Sequence, residues 1–141
     1  MSTSLVILIL ANVLFSFKGF NDLFFFFKYD FHIGSIRAGE QVRMFSSAFL
    51  HADMTHLFFN MLTLYFFAPV VVGYLGEINF VLIYISSLLV GNLLTLYLHK
   101  NDLSYRAIGA SGAVTGILYA AILLQPDMML GLFFVIPIPA Y

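Results

Sequence analysis

Residues 80–98 read FVLIYISSLLVGNLLTLYL, nineteen positions without one charged side chain. A helix needs about 20 mainly apolar residues to cross the hydrocarbon core of a bilayer, so this run predicts a transmembrane span. Working outward, residues 54–75 form a second run and residues 107–124 another. Residues 4–17 (SLVILILANVLFSF) form the first, extendable through Lys18 and Asn21 to the Phe24–Phe27 block. No basic residue precedes this first run and no small-residue cleavage site follows, so it reads as a span and not a cleaved signal peptide. The expectation is four complete spans. The stretch 128–141 is apolar but has only about two-thirds of a span's length and contains Pro137 and Pro139. It is expected to be a partial fifth span of a C-terminally incomplete domain.

The composition agrees with the hydropathy pattern. Of 141 residues, 62% are hydrophobic and 9% charged, with a mean hydropathy of +0.99; soluble domains average about 45–50% and about 25%. A water-soluble globule is excluded. Six Lys and Arg stand against seven Asp and Glu, a formal charge of −1, so there is no clustered basic face to neutralise phosphates and no nucleic-acid partner is expected. Without cysteine, no disulfide, thiolate metal site or cysteine nucleophile arises. No repeat, heptad or low-complexity linker divides the chain, and residues 1–141 read as one domain in a lipid bilayer.

Three connections join the runs. Residues 18–53 interleave Lys18, Asp22, Lys28, Asp30, Arg37, Glu40, Arg43 and Asp53 with aromatics, as a structured loop lying partly in the membrane interface would. Residues 73–79 (GYLGEIN) predict a tight turn, and residues 99–106 (HKNDLSYR) form the third connection. All six Lys and Arg fall in the first and third connections, which must share one side. The positive-inside rule would place that side in the cytoplasm.

Polar residues inside spans are functional candidates. The second span opens with His51, Asp53, His56 and Asn60; His56 and Asn60, four apart, share a helix face. The fourth opens with Gly109-Ala110-Ser111-Gly112, then Gly116. A serine at a helix N-terminus has unpaired backbone N–H groups and the positive end of the dipole beside it, which would stabilise an oxyanion. Taken alone, the Gly/Ala/Ser cluster equally fits a close-packing helix face. His51, Asp53 and His56 have metal-ligand chemistry, but a five-residue spacing places the two histidines poorly on one helix face, and no metal is expected. Gly109–Ala113 lacks the second glycine of a hydrolase elbow, and no Gly-Lys-Ser/Thr phosphate loop follows.

The stretch Phe49-Leu50-His51-Ala52-Asp53-Met54-Thr55-His56-Leu57-Phe58-Phe59-Asn60-Met61, followed about fifty residues later by Gly109-Ala110-Ser111-Gly112, resembles the rhomboid family of intramembrane serine proteases. The resemblance implies an all-α membrane bundle of six helices, here four complete and a partial fifth, that cuts transmembrane protein substrates without cofactor. It implies Ser111 as nucleophile, His56 and Asn60 as oxyanion donors beside the Ser111 N–H, and His51 as a more structural neighbour. Gly109, Gly112 and Gly116 would let the fourth helix pack closely, and Arg43 resembles an arginine that shapes the family's first loop. It also implies the first and third loops outside the cytoplasm of a bacterial inner membrane, opposite to the basic-residue count.

The sequence departs from the family at several points. The family's general base is a histidine on the sixth helix, and none of His32, His51, His56 or His99 stands in a matching motif. Val70-Val71-Val72 occupies a site where relatives carry an acidic residue, and Thr115 one where they place an aromatic ring. The alternative to a protease is an inactive rhomboid-like protein that binds transmembrane helices. A channel with His56 and Asn60 lining its path has only those polar residues behind it.

Overall fold

The computed structural model describes residues 1–127, and the expected partial fifth span at 128–141 lies outside the described residues. Helix α1, Thr3–Asn21, is capped by Ser2, whose hydroxyl accepts from the Leu5 N–H at 3.2 Å. Its buried face runs Leu5, Leu8, Asn12, Ser16, Gly19, one stripe at helical spacing. The first connection is more regular than a loop. Asp22 ends α1 and caps a separate helix α2, Leu23–Tyr29, by accepting from the Phe25 N–H. A short strand β1, Phe31–His32, follows, then the turns α3, Ile33–Arg37, and α4, Arg43–Ser46, and a 3-10 turn, Ser47–Phe49.

Helix α5, Met54–Leu98, is interrupted once, at Gly76 (φ +86°, ψ 167°). Nothing lies near a Cβ at this position; the backbone angle alone selects glycine. The predicted seven-residue turn is thus a one-residue break, because both flanks stay helical. The two arms run in opposite directions. Ser4 at the start of α1 donates through its N–H and hydroxyl to Glu77, whereas Ser16, three turns on, donates to the Phe49 carbonyl at 2.8 Å. The first arm therefore descends from the Ser16 level to the Ser4 level. The second returns, because Asn92 donates to the Met44 carbonyl and to Ser47 Oγ.

Strand β2, Arg106–Ala107, pairs antiparallel with β1, with Phe31 opposite Ala107 and His32 opposite Arg106. This ladder joins the first and third connections at one end of the molecule, the shared side expected from the count of spans. It is also the one departure from an all-helical fold among the described residues. Helix α6, Ser111–Leu124, follows. It begins four residues later than the apolar run 107–124 because β2 and Gly109 take up the residues before it.

The core joins α1, both arms of α5 and α6 through Leu5, Leu64, Ala68, Val71, Phe80, Tyr84 and Ile117, all nearly inaccessible. Large apolar side chains also cover the outside, with Leu82, Leu93, Leu94 and Leu123 more than half exposed. Apolar surface on both faces suits a bundle whose solvent is lipid. Helices α1 and α5 are long and apolar enough to cross a membrane, and α6 is a shorter apolar helix.

Candidate active site

Ser111 is the first residue of α6, and the chain reaching it is tethered at each step. The Gly109 N–H donates to the Ser47 carbonyl at 3.0 Å, and the Ala110 N–H to His51 Nε2 at 3.5 Å. The helix's own bonding starts with the Val114 N–H on the Ala110 carbonyl, so the first-turn N–H groups are not taken by helical carbonyls. Ser111 and Gly112 border an open groove of about 570 Å³ whose other wall is Ser86, Ser87, Val90 and Gly91 of the second arm. A smaller, more enclosed cavity of about 200 Å³, with Ser47, Asn92 and Thr95 in its wall, reaches Ser111 from the other side. Gly91 lies seven residues before the end of α5, a helical rise of about 10 Å, so Ser111 sits well below the rim of the bundle.

His56 stands in the first turn of α5, whose cap is Asp53, accepting from the His56 N–H at 2.8 Å. Its ring lies against Gly109: a Cβ there would come within 2.7 Å of Cε1, and the Gly109 φ of +111° is itself a glycine conformation. Nδ1 of His56 accepts from the Ala52 N–H at 3.4 Å. The neutral ring then carries its proton on Nε2, the nitrogen nearer Gly109. One helical turn further, the Asn60 Nδ2 group is buried with no hydrogen-bond partner among the described residues. Two donors thus stand on one face of α5, one of them against Gly109, two residues before Ser111.

His51 is completely buried and packs edge-on to His56, ring centroids 4.9 Å apart. Its Nε2 accepts from Ala110, so Nδ1 holds the proton and donates to Ser16 Oγ at 2.8 Å, whose own proton goes to Phe49. Burial, then the neighbouring His56, pushes its pKa down to about 4. With both nitrogens engaged, His51 holds α1, the 51–53 turn and the approach to α6 together, a tethering role. Among the described residues, Ser111 Oγ has no hydrogen-bonded base. No three His, Cys, Asp or Glu side chains gather as metal ligands do among those residues.

The three glycines play separate parts. A Cβ on Gly116 would lie 2.5 Å from Ser87 Cβ, so this position fixes how closely α6 meets the second arm. Gly112 makes ordinary contacts there, and Gly109 lies outside the helix, where it clears His56. Arg43 is buried in the first connection. It donates to the Phe27 carbonyl at 2.9 Å, the Asp30 carbonyl at 3.1 Å and the Asp30 carboxylate at 2.9 Å, with Nε on Glu40. Asp30, Arg106, Ser16 and Asn92 carry much of this architecture and were not singled out from sequence. The small polar residues on α1 and α5 were the available signal for Ser16 and Asn92.

The sequence matches the Rhomboid domain model over residues 38–141. The chain belongs to the rhomboid family. YdcA of Bacillus subtilis, a protein named for the rhomboid proteases, is 39% identical over 79 residues, 56% of this chain and 39% of YdcA. The mitochondrial RHOMBOID-like protein 12 of Arabidopsis thaliana is 29% identical over 145 residues, 92% of this chain and 43% of that protein. The mitochondrial Rhomboid protein 1 of Saccharomyces cerevisiae is 34% identical over 102 residues, 70% of this chain and 29% of that protein. The matches span less than half the length of these relatives. Rhomboids are integral membrane proteins that act, as a family, on transmembrane substrates, and the apolar helices here are those of such a protein.

Proposed function

We propose that this rhomboid is an intramembrane serine protease that hydrolyses peptide bonds of transmembrane proteins, with residues 1–141 forming one domain. The arms of α5 are read as two spans, which with α1 and α6 make four, followed by a fifth and sixth. Ser111 Oγ attacks the scissile carbonyl and passes its proton to a general base, the histidine that the family resemblance implies beyond the described residues. The oxyanion is held by the Ser111 N–H, His56 Nε2–H and the Asn60 amide. Collapse expels the amine with that proton, and water then hydrolyses the acyl-enzyme. No metal or cofactor takes part.

The observation that carries this reading is the His56 ring, its tautomer set by Ala52 and pressed on Gly109 two residues from a serine at a helix N-terminus. Cleavage of a transmembrane substrate by the complete native protein in liposomes tests it. Ser111→Ala is expected to abolish cleavage and labelling by a fluorophosphonate probe. His56→Ala and Asn60→Ala should each lower kcat by about 10²–10³-fold, as loss of an oxyanion donor does. Cleavage surviving Ser111→Ala overturns the assignment. A folded wild-type protein that neither cleaves nor labels supports the alternative, an inactive relative that binds transmembrane helices. The host membrane proposed is a bacterial inner membrane, with mitochondrial relatives marking the other setting for this fold.

A further inference from the structure

Asp30 is almost completely buried, yet it is shared by two arginines, one from its own connection and one from the third. Arg43 reaches its Oδ1 at 2.9 Å from within the first connection. Arg106 reaches both of its oxygens at 2.8 Å from β2, five residues before Ser111. The Arg106 guanidinium also lies 4.9 Å from the centre of the Phe27 ring. Burial pushes the Asp30 carboxyl above its ordinary value, while the bond and charge of Arg106 and the charge of Arg43 act to keep it ionised.

The position of this carboxylate gives it leverage. The β1–β2 ladder extends through the Ile33 N–H on the Tyr105 carbonyl and the Gly34 N–H on the Leu103 carbonyl. Two strands of two residues are marginal on their own, and Asn101 to Ser104 are exposed. In the antiparallel register, Asp30 falls opposite residue 108, the end from which the chain runs into Gly109, Ala110 and Ser111. Asp30 therefore closes the ladder at the end nearer the serine. Without it, the buried Arg43 and the part-exposed Arg106 would face each other with no shared anion, and the strand bearing Arg106 would be pushed away.

We infer that Asp30 is a positioning residue for Ser111, acting through Arg106 to fix where the chain enters α6. The inference rests on the protease reading above. It concerns the chemical step and not substrate binding, since neither Asp30 nor Arg106 lines the groove beside Ser111.

The test uses the complete native protein in liposomes, with kcat and KM for a transmembrane substrate expressed per folded molecule from thermal melting. Asp30→Asn and Arg106→Gln are each expected to lower kcat by about 10²-fold, the scale of an ångström-level misplacement, with KM within about twofold. The rate of Ser111 labelling by a fluorophosphonate should fall in parallel, and the double variant should be no worse than Asp30→Asn alone. If Asp30→Asn fails to fold, Arg106→Gln carries the test, because it removes a half-exposed partner and leaves the Arg43–Asp30 pair in place. A kcat within about twofold of wild type, or a double variant showing the product of two losses, overturns the inference. Cleavage that ignores Ser111→Ala overturns the parent reading instead.

Discussion

Below Ser111, α6 meets the second arm of α5 along Gly91, Gly112, Gly116 and Ser87, where contact is close because side chains are missing. Above it, the approach to α6 is held by Asp30, Arg43, Arg106, His51 and the two-stranded ladder, where contact depends on charge and hydrogen bonds. Lipid supplies no hydrophobic drive between helices, so the lower seam relies on van der Waals fit between small residues. The upper clasp lies where polar groups can be matched one to one, and its worth depends on every partner staying in place. The seam sets how near α6 stands, and the clasp sets where its first residue points.

The sharpest way to break this distinction is Gly109→Ala, at the junction of the two regions. The new Cβ meets both a φ of +111° and the His56 ring. Displacing that ring should lower kcat on the order of 10²-fold, as loss of one oxyanion donor does, with a smaller change in thermal midpoint. Wild-type cleavage by this variant would show that the approach tolerates what the clasp is said to prevent.

A second measurement addresses the clasp alone. The unfolded chain binds a proton at His51 near its ordinary value of 6.5, the folded protein only near 4. The unfolded state therefore holds more protons in that window. Stability is fully present above about pH 6.5 and declines as pH falls toward 4, by roughly 3 kcal/mol at about 1.4 kcal/mol per pKa unit. Thermal midpoints measured from pH 7.5 to 4.5 should show this slope, and His51→Gln should flatten it while lowering the midpoint throughout. An unchanged slope would remove His51 from the clasp.

The seam gives the smallest expected effect. Gly116→Ala pushes a methyl toward Ser87 Cβ, an overpacking cost of about 1–3 kcal/mol. Adding Ser87→Gly should restore most of the thermal midpoint, because it removes the atoms in the way. Failure of that rescue would show the seam to be fixed by something other than this contact.

The seam was more legible in the sequence than the clasp. Gly112 and Gly116 are one turn apart, as are His56 and Asn60, so their shared faces follow from helical spacing. Asp30 and Arg106 are separated by 76 positions, and nothing local says that one arginine will choose that carboxylate. Two-residue strands carry no alternation to detect. The break at Asp22, which separates α2 from the first span, is hidden because it falls within a phenylalanine-rich stretch, Phe15 to Phe27, that reads as one extension of the apolar run. In α1 the surroundings are apolar nearly all round, so hydrophobicity is silent about the inward face; Asn12, Ser16 and Gly19 mark it. For the same reason the seam and the shared face of His56 and Asn60 could be set out from sequence, whereas the way His51 is spent on Ser16 and Ala110 could not.

The reversal at Gly76 bears on how the molecule meets the compartment beneath it. Glu77, the next residue, receives the start of α1, so at that end a helix finishes, turns within one residue and is at once latched to its neighbour. There is no slack there to take an inserted tag, a processing cut or a glycan acceptor without unwinding helix. The connections at the opposite end, around Ser111, are longer and carry exposed stretches such as Asn101 to Ser104. A labelling or proteolysis map of the intact membrane should therefore show cuts and modifications in the exposed parts of residues 22–53 and 99–110, with the hinge at 76 silent.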